Sequence, residues 1–172
     1  MKQIIIYICV AITLYMVVGG VSNAIIPDEA LRIRVIANSD GEKDQKMKVL
    51  VKEELQTEIY SLLKDTKGVD NARRVINSNL GFIDNRVNNL LTREKYDLDY
   101  TINYGLNFFP AKELGGVVYK EGYYESLTIT LGSGEGSNWW CILFPPLCLL
   151  EIEEDTEVEY TSLVREMINK YL

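Results

Sequence analysis

The chain has 172 residues, 47% of them apolar, and carries a formal net charge of -7 from 18 Lys and Arg against 25 Asp and Glu. At about 150 residues per domain this is one compact unit of ordinary globular composition, and its acidic balance repels phosphate backbones, so nucleic acid is not an expected partner. The chain has no histidine, which removes Ser-His-Asp and Cys-His nucleophile pairs, histidine-ligated zinc and histidine pH switching from its chemistry.

Met1 and Lys2, then an apolar or aromatic run at residues 4–18 broken only by Thr13, then small and polar residues at 19–24, follow the order of a signal peptide. Ser22-Asn23-Ala24 places the cut after Ala24. The rival reading is an uncleaved anchor, since residues 4–20 as a helix reach about 25 Å across a hydrocarbon layer of ~30 Å. Both readings divide the chain into 1–24, a signal peptide or membrane anchor, and 25–172, an exported domain. Membrane contact through the N-terminal segment belongs to the second.

Leu31, Ile33, Val35 and Ala37 alternate with Arg32, Arg34 and Ile36, the pattern of a strand with one apolar face. Ser39 followed by Glu42 matches a capping box. Met47, Leu50, Val51, Leu55, Ile59, Leu62 and Leu63 then recur at helical spacing to about Lys64. After a break at residues 65–68, a second helix is predicted from Ala72, Val75, Ile76, Leu80, Ile83, Val87, Leu90 and Leu91, with Gly81 as its weak point. The period then changes to two: Leu98, Tyr100, Ile102, Tyr104 and Leu106 line one face of a half-buried strand. A short strand around residues 117–119 and another through Leu127, Ile129 and Leu131 suggest an antiparallel meander, and residues from about 156 suit a terminal helix. The expected fold class is α+β: a mostly antiparallel sheet with two long helices on one face and a C-terminal helix, in a single domain.

The segment at 131–148 differs from the rest. Gly132, Gly134 and Gly136 follow a strand, but Trp139, Trp140 and two prolines come next instead of a helix whose amino terminus could hold an anion, so a glycine-rich hairpin loop fits better than a phosphate loop. Residues 139–144 are apolar on both alternating faces, so the strand is either covered on both sides or waiting for a partner. Leaving both tryptophans exposed would be expensive at ~200 Å² each; one ring is expected in the core and one near the surface, with both in the core as the alternative. If the chain reverses at Phe144 and Pro145, Leu143 faces Pro146, Ile142 faces Leu147 and Cys141 faces Cys148, within disulfide reach. An exported chain favours that bridge; the competing two-thiolate metal site lacks other soft ligands. No metal and no cofactor is expected.

The string Asn138-Trp139-Trp140-Cys141-Ile142-Leu143-Phe144-Pro145-Pro146-Leu147-Cys148, with residues 31–40 (LRIRVIANSD), Phe109-Pro110-Ala111-Lys112 and residues 122–127 (GYYESL), resembles the stage II sporulation protein R family. Leu114, Lys120, Glu121 and Ser126 depart from its pattern in loop details. The resemblance implies a signal rather than an enzyme. It is made in the forespore and exported across the forespore membrane to the space between forespore and mother cell. There it activates a membrane-embedded aspartic peptidase, of the stage II sporulation protein GA type, that processes pro-sigma-E. A signal must bind one receptor state more tightly than another, and the expected contact surface is Asn138, Trp139, Trp140, Ile142, Phe144, Pro145 and Pro146. The alternative from a different class is an exported cell-wall glycan hydrolase using Glu121, Glu125 or Glu135 as acid and base, because a carboxylate pair suffices for that chemistry.

Overall fold

The computed structural model describes residues 29–114, 117–147, 166 and 168–171. The sequence reading of residues 1–24, Cys148 and the start of the terminal helix lies outside them. Six strands and three helices follow in the order β1 (Leu31–Ile36), α1 (Glu42–Leu63), α2 (Val69–Ser78), α3 (Leu80–Arg93), β2 (Tyr100–Phe109), β3 (Lys112–Leu114), β4 (Val117–Tyr119), β5 (Gly122–Leu131) and β6 (Asn138–Phe144). Residues 168–171 are helical.

The fold class is α+β, with a four-stranded sheet ordered β2-β5-β1-β6. β5 is antiparallel to β2 and β1 antiparallel to β6, while β1 and β5 run parallel, so the sheet is mixed. β3 and β4 form a separate two-stranded sheet between β2 and β5, which replaces the expected simple meander. The parallel pair is possible because three helices intervene between β1 and β5 in the chain, giving the long connection that parallel strands need.

The helices cover one face of the sheet. Met47, Val51, Leu55, Ile59 and Leu63 of α1 are buried at spacings of three to four and join Ile33 and Val35 of β1, Leu127, Ile129 and Leu131 of β5, and Ile83, Val87, Leu90 and Leu91 of α3 in one core. Arg86 of α3 ties this layer to α1 through Glu54 and Glu58.

Two local expectations are corrected. The second helix is two helices: at Asn79 the backbone leaves helical geometry (φ -111°, ψ 11°), its N–H returns to the Ile76 carbonyl and its side-chain amide donates to the Val75 carbonyl. An asparagine competing for helix carbonyls does this locally, which apolar periodicity does not register. The capping box is also absent: Gly41 is the N-cap of α1 without a side-chain cap, and the Ser39 hydroxyl instead donates to the Asp44 carboxylate at 2.6 Å.

The glycine-rich loop has a steric reason. The Gly136 N–H bonds the Ala37 carbonyl, the Ser133 N–H bonds Asn38 Oδ1 and the Ser137 N–H bonds Asp40 Oδ1 at 2.7 Å, so the loop lies directly on the β1–α1 turn. A Cβ on Gly136 would sit 2.4 Å from the Ser39 carbonyl oxygen, and one on Gly132 (φ +54°) 2.2 Å from Asn38 Oδ1. Gly136→Ala is therefore expected to lower stability by about 1–3 kcal/mol. Gly81→Ala in α3, where a Cβ meets nothing within 4 Å, should raise it by up to ~1 kcal/mol. Urea denaturation of the two variants measures both; equal midpoints would remove the steric account of the loop.

Candidate interaction site

The sheet face away from the core helices carries Arg32 and Arg34 of β1. Arg32 is 1% exposed. Its guanidinium carbon lies 3.3 Å from the ring centre of Tyr124, 5.0 Å from Phe109 and 5.1 Å from Trp140. The rings pack edge to face on one another, Phe109 on Trp140 at 5.3 Å and Tyr119 on Trp140 at 5.2 Å. Arg32 is thus enclosed by rings from β2, β5 and β6, and β4 closes the outside through Tyr119. A planar, weakly hydrated guanidinium suits such stacking where an ammonium does not. Arg34, next on the same face, reaches across β5 to donate from Nη1 to the Phe108 carbonyl at 3.1 Å, and burial pushes its pKa below the ordinary arginine value.

At the other end of β1 the Asp44 carboxylate accepts hydrogen bonds from Ser39 Oγ at 2.6 Å, Asn38 Nδ2 at 2.7 Å and Tyr96 OH at 2.8 Å. Those bonds, Ser39 first, hold the Asp44 pKa below the usual carboxylate range against the opposing effect of burial. Tyr96 shifts upward, through burial first and then the bond to Asp44. The Asp44 group joins the β1–α1 turn to the end of α3 and, through Asn38, to the glycine-rich loop.

The segment expected to bind a partner is largely inside the protein. Ile142 and Phe144 are fully buried, and Pro145, Pro146 and Leu147 are buried. Asn138 is exposed, while Trp139, Trp140 and Cys141 are intermediate. The two tryptophans take opposite faces: Trp139 packs against the helical core, with the Lys52 ammonium 5.8 Å from its ring centre, and Trp140 stands in the Arg32 cage. The expected split of one core ring and one surface ring is replaced by two half-buried rings.

The hairpin drawn around Phe144 is replaced too. The Phe144-Pro145 bond is cis, the Leu147 N–H turns back to the Pro145 carbonyl, and β6 pairs with β1, with no ladder between Ile142 and Leu147. The Cys141 thiol lies 3.7 Å from the Ile142 carbonyl, and its expected partner Cys148 is outside the described residues. Among the described residues no strand pairs the outer edge of β6.

The carboxylates of the hydrolase alternative do not assemble. Glu121 and Glu135 bracket β5, whose ten residues extend about 30 Å, well beyond the ~5–10 Å of a glycosidase pair. Glu125 is occupied, accepting from Arg73 at 2.6 Å and from the Tyr104 hydroxyl at 2.7 Å. Among the described residues no cluster of acidic residues and cysteines forms a metal site.

Sequence reasoning missed Arg32, Phe109, Tyr119 and Tyr124 as one group. The available signal was a charged residue in the middle of a strand whose neighbours in the chain are all apolar or basic, together with aromatics in three separate segments.

Fold and site together define a small α+β domain built around an aromatic-caged arginine, with one tryptophan-bearing strand outermost among the described strands of its sheet. The family model described as Stage II sporulation protein R matches residues 27–154, and the chain belongs to that family. It is 39% identical over 135 residues to the Stage II sporulation protein R of Bacillus subtilis (strain 168), an alignment covering 78% of this chain and 60% of that protein. No solved structure matches.

Arg32→Ala should cost about 2–4 kcal/mol by emptying the cage, and Arg32→Lys, which keeps the charge but lacks the planar group that stacks on the rings, should recover only a small part of that loss. Equilibrium unfolding followed by tryptophan emission tests both. For Asp44, a depressed folded-state pKa means its contribution is full above the unfolded value of ~3.9 and is lost as pH falls through the folded one. Asp44→Asn should therefore lower the urea midpoint at pH 7, with the gap to the parent narrowing below about pH 4; a gap independent of pH would place its contribution elsewhere.

Proposed function

We propose that this chain is an exported sporulation signal, made in the forespore, which acts by contact in the space between forespore and mother cell. The partner is the membrane-embedded aspartic peptidase that processes pro-sigma-E, and the chain carries no chemistry of its own. Family membership supports the role in sporulation. The observation that carries the contact reading is the position of β6, which among the described residues is the outermost strand of the sheet, bears Asn138, Trp139 and Trp140 and is backed by the Arg32 cage. An edge strand offers main-chain groups for an added strand while its side chains set specificity.

Ile142, Phe144, Pro145 and Pro146 then hold that edge in place rather than touch the receptor, and Asn138, Trp139 and the accessible part of Trp140 form the contact. Converting a receptor from 1:99 to 99:1 needs about 5.5 kcal/mol of differential affinity, within the reach of one aromatic anchor with a complementary rim.

The test is reconstitution of the chain, the peptidase and pro-sigma-E across a bilayer, with processing measured. Asn138→Arg, at an exposed position, should leave the unfolding midpoint unchanged and reduce processing at least tenfold. Full processing by this variant would move the contact off β6. Turnover of a cell-wall glycan by the purified chain alone would overturn the signalling reading.

A further inference from the structure

On the helix-covered side of the sheet, α2 ends its cover with the ion pair of Arg73 and Glu125. Beyond that pair no helix among the described residues covers the sheet. Leu106 is 73% exposed, Phe108 48% and Tyr123 74%. Phe108 and Tyr123 are register partners with ring centres 5.6 Å apart, and Leu106 stands opposite Glu125. The result is one contiguous apolar and aromatic patch, and the carboxylate bordering it is already neutralised by Arg73.

The chain order places this patch. β1 runs parallel to β5 with Arg32 beside Ser126, so the chain comes into β1 at the end of the sheet where Tyr123 and Phe108 lie, within about two strand spacings, ~10 Å. Ten residues, 19–28, separate the apolar run at 4–18 from Glu29, and fully extended they reach at most ~36 Å. If that run stays in a bilayer as an uncleaved anchor, the bilayer lies within ~36 Å of the end of the domain that carries the most exposed apolar side chains among the described residues.

We infer that Leu106, Phe108 and Tyr123 form a membrane-contact surface, which, on the anchor reading of residues 4–18, seats the domain on the lipid bilayer that holds the anchor. Leucine and phenylalanine enter the upper acyl region and the tyrosine ring, with a polar hydroxyl, sits at headgroup level. The opposite end of the sheet, with the glycine-rich loop and the start of β6, then points away from the lipid.

The full chain in vesicles of phosphatidylethanolamine and phosphatidylglycerol tests this, with acyl chains brominated near the headgroup as quencher. Tyr123→Trp is compared with Glu135→Trp at the far end, after subtraction of the parent emission from Trp139 and Trp140. Emission from the position 123 probe should fall at least twofold in brominated vesicles, emission from position 135 should not change, and adding Leu106→Ser and Phe108→Ser should abolish the difference.

Equal emission changes at the two positions, or failure of the full chain to sediment with vesicles, overturns the inference. So does protection of the position 123 probe only on self-association or only with the peptidase present, since the patch then belongs to a second copy or to the receptor. Pro-sigma-E processing is a separate readout, so loss of lipid contact with signalling retained rejects this surface and leaves the signalling reading standing.

Discussion

A guanidinium at 1% exposure in the middle of a sheet constrains everything around it. Taking such a charge out of water costs several kcal/mol even after relaxation, so the fold must supply compensating contacts from fixed directions. Tyr124, Phe109 and Trp140 are among those contacts, and a desolvated cation over an aromatic face recovers about 2 kcal/mol or more. The rings come from three strands that are far apart in the chain. Arg32 can be buried only when β1 lies between β5 and β6 and the end of β2 folds over. The cage and the strand order are one constraint, which brings Arg32, Phe109, Tyr124 and Trp140 from four separate segments to one face of the sheet.

The two ends of β1 solve different problems. At its C-terminal end the chain turns into α1, and the turn is held by polar groups alone: Asp44 gathers Ser39, Asn38 and Tyr96, and the glycine-rich loop lies close enough that no side chain fits at Gly136. At its N-terminal end the surroundings are aromatic, and the helical layer stops at Arg73 and Glu125. The polar end is tied by hydrogen bonds from Ser39, Asn38 and Tyr96 to Asp44, from Ser133 to Asn38 and from Ser137 to Asp40. The aromatic end exposes surface that water disfavours. A domain with one hydrogen-bonded end and one apolar end has a built-in orientation at any interface between water and lipid.

Much of the framework was legible because burial follows local period. Leu31, Ile33 and Val35 alternate toward the core as read, the stripe of α1 from Met47 to Leu63 is buried as spaced, and the second stripe through Ile76 and Leu91 faces inward across both helices it spans. Features that depend on distant neighbours were not legible. The parallel pairing of β1 with β5 joins residues about ninety positions apart. Arg32 reads as a solvent residue in any local window, since the rings that converge on it come from distant segments. Leu106 continues the apolar alternation of β2 yet is exposed, because where the helical layer ends is a property of α2 and not of β2. The segment at 138–147 reads from sequence either as covered on both faces or as waiting for a partner, because it is apolar on both, and the sheet buries Ile142 and Phe144 on opposite faces.

That burial separates two meanings of a damaging substitution. Trp140 touches Arg32, Phe109 and Tyr119 at once, so truncating it opens the cage and loosens β6, β1 and the β3–β4 hairpin together; loss of signalling there reports the fold. Asn138 has an exposed side chain at the start of the same strand, beyond the cage and beyond the core, and loss of signalling there reports a surface. Trp139 lies between, half of its ring committed to the helical core beside Lys52 and the rest open. If β6 is the contact strand, as proposed above, it gains specificity from its backing: the cage holds the strand that a partner would read, so little conformational freedom is left to lose on binding.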